Sequence, residues 1–116
     1  MPSRNHYYLT IDDLAAARGP VPDLSYDGAG PNDFAAALQE ALRSPILFDR
    51  WKAMQEDPDG VDPAMGVTDA TAAVSARVSD LHIDVDLITS LPMSIVRHRL
   101  NLLIGNHWKL HDMRAA

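Results

Sequence analysis

The sequence contains no cysteine, so neither a disulfide framework nor a thiolate zinc site is open to it. Aromatic residues are few, two Trp, three Tyr and two Phe in 116 positions, which leaves Leu, Ile, Val, Ala and Met to fill a core. No apolar run approaches the roughly 20 residues of a membrane-spanning helix. The opening Met1-Pro2-Ser3-Arg4-Asn5 likewise has no apolar stretch of signal-peptide type. Phosphate-cradling glycine loops and Gly-x-Ser-x-Gly nucleophile elbows are missing, and no convincing Ser-His-Asp set is present. A cytoplasmic protein with no cofactor and no membrane partner is expected.

Positive charge is also scarce, ten Lys and Arg against sixteen Asp and Glu, and it is unevenly placed. Residues 1–58 hold five basic and nine acidic groups (−4), residues 59–90 one and six (−5), and residues 91–116 four and one (+3). An acidic body disfavours direct nucleic-acid binding, whose affinity comes mainly from neutralised phosphates. The basic end is also the most apolar.

From Leu91 to Met113 the chain reads LPMSIVRHRLNLLIGNHWKLHDM. On a helix, Met93, Val96, Leu100, Leu103, Ile104, His107, Trp108 and Leu110 gather into one apolar arc, with steps of three and four suited to lengthwise packing. Ile95, Leu102 and Met113 face the other way, so a helix here needs cover on two sides. The spacing predicts one long amphipathic helix over Leu91–Met113, part core and part interface, with a homodimer expected. Gly105-Asn106 offers an alternative end after Ile104 in a left-handed cap. The partner-binding candidates are Met93, Val96, Leu100, Leu103, His107, Trp108 and Leu110.

The rest of the chain divides by its turn residues. Residues 1–9 are expected as an extended arm, with NHYYLTI (residues 5–11) also suited to a short strand. Thr10-Ile11-Asp12-Asp13 resembles a capping box and predicts a short helix through Ala17. Residues 19–31, rich in Gly and Pro, read as an irregular loop anchored by Leu24 and Tyr26. Phe34, Leu38, Ala41 and Leu42 mark a helix, and Ser44-Pro45 turns it into a second one carrying Leu47, Trp51 and Met54. The run DPDGVDP (residues 57–63) lacks the ligand spacing of a calcium loop and reads as a solvated turn.

Two periods compete after Gly66. Ala70, Val74, Val78, Leu81, Val85 and Ile88 keep helical spacing, while Leu81 to Leu87 alternates strictly. The helix continues an established stripe and is adopted; a strand would need NHYYLTI as its partner, and would place His82, Asp84 and Asp86 on one face, able to approach a cation. The fold expected is therefore all-α, one domain over residues 1–116 with four to five helices.

In size, acidity and helical character the chain resembles small bacterial antiactivators that sequester transcription regulators, including those of quorum sensing. The resemblance covers overall profile, and no site transfers with it. It implies a non-catalytic regulatory binding protein that covers a surface of a larger protein. The alternative is a metal-dependent enzyme using His107 and His111, which stand four apart but lack the intervening Glu of the HExxH pattern and a third ligand.

Overall fold

The computed structural model describes residues 4–116, so the first three residues of the expected arm lie outside the described residues. The remainder of that arm is β1 (Asn5–Ile11). Its aromatic and β-branched residues suit a pleated surface, and its faces alternate: Tyr7, Leu9 and Ile11 are buried, while His6, Tyr8 and Thr10 face the other way. The strand continues through Ile11, so Thr10 caps no helix, and residues 12–17 contain turns only.

Helices α1 (Pro31–Arg43) and α2 (Ile46–Ala53) form the expected bent pair, broken at Ser44-Pro45. Pro31 occupies the first turn of α1, where a missing N–H is harmless, and Phe34, Leu38, Ala41 and Leu42 form its buried stripe. The preceding loop is irregular and anchored as expected. Leu24 and Tyr26 are buried, the Tyr26 N–H donates to the Leu103 carbonyl at 2.9 Å, and its hydroxyl donates to that of Gly30 at 3.1 Å.

The all-α expectation is overturned in the second half. Instead of a helix, residues 73–89 form a hairpin of β2 (Ala73–Ser79) and β3 (His82–Thr89), closed by Asp80-Leu81 with Asp80 in the left-handed region at φ 54°. The strict alternation of Leu81 to Leu87 is the period that wins, because β1 supplies the needed partner. Ile83, Val85 and Leu87 pair with Ile11, Leu9 and Tyr7 on one buried face.

The long C-terminal helix is corrected as well. Helix α3 (Met93–Ile104) stops at Gly105, whose φ of 63° and ψ of −131° suit glycine alone. Beyond it the chain becomes β4 (Lys109–Ala115), antiparallel to β1. The sheet runs β2-β3-β1-β4, all antiparallel, with helices before β2 and β4. This is the ferredoxin-like, split βαβ plan, with α2 inserted. The core fills the space between one sheet face and helices α1 and α3. The opposite face is open.

Two buried polar residues tie these layers together. The Asp69 N–H donates to the Leu42 carbonyl at 2.8 Å, and its carboxylate accepts from Thr71 N–H and Oγ1 and from Thr89 Oγ1 and Ser90 N–H, at 2.8–3.1 Å. It thus ties the end of α1 to the end of β3. Arg99 is fully buried: its guanidinium donates to the Met65 carbonyl at 2.7 Å and lies over the Phe48 ring at 4.9 Å. Among the described residues, Arg99 has no carboxylate in salt-bridge range, and its Nε and His98 Nε2 have no hydrogen-bond partner. Burial, then the neighbouring Arg99 charge, pushes the His98 pKa down, and burial pushes that of Arg99 down.

Candidate functional site

The candidate partner-binding residues do not form one surface. Val96, Leu100 and Leu103 are core residues of α3, and Met93 and Trp108 are partly buried against that core. Trp108 is held by its indole N–H, which lies 3.1 Å from the Gly105 carbonyl and 3.2 Å from Asn101 Oδ1. Only His107 and Leu110 are exposed, His107 in the turn before β4 and Leu110 on the strand itself.

The His107–His111 pair is not a helix pair. His107 lies in the turn, and His111 lies on β4 with Nε2 3.0 Å from Thr10 Oγ1. Among the described residues, no group of three or more His, Asp or Glu side chains is gathered closely enough to hold a metal ion.

The open sheet face carries His82, Asp84 and Asp86, as the strand alternative required. With Arg77 of β2 and His6 of β1 they form a polar chain across three strands. His82 Nε2 lies 3.0 Å from Asp84, Arg77 bridges Asp84 at 3.9 Å and Asp86 at 3.6 Å, and Asp86 lies 3.2 Å from His6 Nε2. The Tyr8 and His6 rings stack with centroids 4.0 Å apart and planes 18° apart. That stacking places the Tyr8 hydroxyl, 3.1 Å from Nδ1, against the ring rather than along the in-plane lone pair. It therefore does not make the tyrosine an activated nucleophile. The depression lined by Tyr8, Thr10, Arg77, His82, Asp84, Asp86 and His111 holds about 240 Å³, below the 300 Å³ or more of a usual small-molecule pocket. Two aspartates in its lining also disfavour phosphate.

The sheet edges differ more than its faces. At the β2 edge, Gln39 of α1 reaches across and its Oε1 accepts the Val74 N–H at 3.1 Å. Among the described residues, the side-chain hydrogen bonds of β4 involve Thr10 and the strand's own Asp112 and no helix side chain. In an antiparallel ladder the bonding groups of successive residues point alternately to the two sides. The Ala116 N–H donates to the Arg4 carbonyl at 3.0 Å, so the in-register residues Arg114 and Asp112 also turn their bonding groups toward β1. Met113 and Ala115 turn theirs outward. Consistent with this, the Met113 N–H is taken by the strand's own Asp112 Oδ1 at 2.8 Å.

The side chains of this edge are sorted too. Leu110 and Met113 register with the buried Leu9 and Tyr7 on the helix side of the sheet, yet they remain 42% and 51% exposed. They share that side although three apart because a bulge at His111 shifts the register. On the open face, Arg114 Nε donates to Asp112 at 2.8 Å, and the guanidinium lies over the Tyr8 ring at 5.7 Å. Sequence periodicity missed this strand because the bulge breaks its alternation; the one legible sign was Gly105-Asn106 as a helix end. The chain matches no protein-family model, no curated protein sequence and no solved structure.

Proposed function

We propose that this protein is a non-catalytic regulatory binding protein that acts in the cytoplasm and receives an extended segment of a partner protein, or of another copy of itself, on the β4 edge. The observation that carries the reading is that edge, where outward-facing backbone groups at Met113 and Ala115 border the exposed Leu110 and Met113 side chains. Strand addition of this kind draws affinity from main-chain bonds and selectivity from alternate side chains. Lys109 lies 3.9 Å from Asp12 and Arg114 2.8 Å from Asp112, so the edge presents both signs of charge and favours a partner segment that also carries both. The partner class proposed is a transcription regulator, inhibited because the docked chain covers its dimerisation or DNA-binding surface. The apolar stripe of α3 supports the edge from within and does not itself meet the partner.

Met113→Pro tests this reading. Proline removes an outward N–H and obstructs strand addition without deleting a bond to β1. Tagged wild type, Met113→Pro and Leu81→Asp, the last at the hairpin tip beyond the opposite edge, are incubated with extract of the native host and bound proteins are identified by mass spectrometry. A stoichiometric partner held by wild type and Leu81→Asp and lost by Met113→Pro is expected. Retention by Met113→Pro overturns the edge assignment, and absence of any stoichiometric partner, a second copy of the chain included, overturns the binding reading.

A further inference from the structure

We infer that the β4 edge pairs with the β4 edge of a second copy, antiparallel about a two-fold axis through Met113, to give one continuous eight-stranded sheet. This rests on the reading of β4 as a docking edge and adds its occupant and register.

Bond direction narrows the registers first. Two antiparallel strands bond only where both residues of a pair present their N–H and C=O outward. In the regular part of β4 those residues are Met113 and Ala115, so the axis passes through Met113, Arg114 or Ala115, and an axis through Ala115 is set aside because it leaves the outward groups of Met113 without a partner in β4. An axis through Asp112 would pair Met113 with His111 at the bulge, outside the regular ladder, and would set two aspartates directly opposite one another.

Charge then selects between the remaining registers. An axis through Arg114 sets two arginines directly opposite one another. Using the bulge to pair Leu110 with the second copy's Met113 would set Lys109 opposite the second copy's Arg114, again like against like. An axis through Met113 instead sets Asp112 opposite the second copy's Arg114, and Arg114 opposite the second copy's Asp112. Non-bonded antiparallel pairs of this type bring side chains closest, so two cross-strand ion pairs form on the open face.

The helix side agrees with the same axis. Met113 meets Met113 of the second copy beside the exposed Leu110, closing the apolar strip that neither helix covers. Within one copy, Asp112 holds both the Met113 N–H and Arg114, and these are the groups that self-pairing redirects across the axis. An edge with both the N–H parity and the charges to receive its own sequence reversed is an isologous interface.

The test is charge reversal with complementation, read as mass by sedimentation equilibrium. Wild type is expected to be a dimer. Asp112→Arg places arginine opposite arginine twice, and Arg114→Asp places aspartate opposite aspartate twice. Each variant alone is expected to associate about tenfold more weakly, or less still. Mixed in equal amounts, the two variants restore both ion pairs and a heterodimer of wild-type strength is expected. A monomeric wild type, single variants that dimerise undiminished, or a mixture that stays dissociated overturns the inference; circular dichroism of each variant identifies any that has failed to fold, and the double reversal in one chain, which restores the pairs, then replaces it. A monomeric wild type whose partner capture is still lost in Met113→Pro separates failure of self-pairing from failure of the docking-edge reading.

Discussion

Asp69 is the residue on which the joint between helix layer and sheet depends most. Burial by itself would oppose its ionisation, but two hydroxyls and two backbone N–H groups donate to it and outweigh that penalty, holding its pKa well below the usual carboxylate range. A carboxyl depressed in the folded state contributes its full stabilisation above its unfolded value, about pH 4, and loses it as pH falls through the folded value. Asp69→Asn replaces one acceptor by an amide donor and strands the Ser90 or Thr71 N–H. It should lower stability by about 1–3 kcal/mol at pH 7, with a smaller difference from wild type at pH 3; urea midpoints at the two pH values check both. Nothing local to Asp69 marks this role, because the contact that defines it, to Thr89, lies 20 residues away. Arg99 is hidden for the same reason: its burial depends on Phe48 and Met65 from distant segments.

At the scale of elements, local punctuation was legible and pairing was not. Pro45 divides α1 from α2 as expected, and the Gly and Pro residues of 19–31 mark an irregular loop. Where two periods fit one stretch, the outcome was decided by a partner distant in sequence: β3 became a strand because β1 could pair with it. Gly105 shows how a single residue separates helix from strand. A Cβ there would meet the Arg18 carbonyl oxygen at 2.9 Å, and the backbone already sits at positive φ. Gly105→Ala should therefore cost about 1–3 kcal/mol, seen as a lowered thermal midpoint. Part of that loss should appear locally, as faster amide exchange in β4, because the turn sets the direction of the edge strand.

At the scale of the whole molecule, the candidate site was legible only in its ingredients. The charge split places basic residues in the C-terminal segment, and Leu110 was already among the binding candidates, but the surface that joins them is an edge strand instead of a helix stripe. The central position of β1 makes that last strand indispensable. A chain ending at Ile104 would leave Tyr7 and Leu9 on an uncovered border and strip the bonding partners of His6 and Tyr8. Such a truncation should partition into the insoluble fraction when expressed, while Met113→Pro stays soluble, as centrifugation of lysates would show.

The same arrangement fixes a timetable. β1 is made before the other described elements, yet it pairs with residues as far along the chain as Ala115; its neighbour β3 is made after α1 and α2, and its neighbour β4 after α3 as well. During synthesis an apolar, aromatic strand must therefore wait without either partner while most of the protein emerges. Residues 5–11 are where a nascent-chain chaperone would be needed, and slowing translation would prolong that wait without letting the sheet close any earlier.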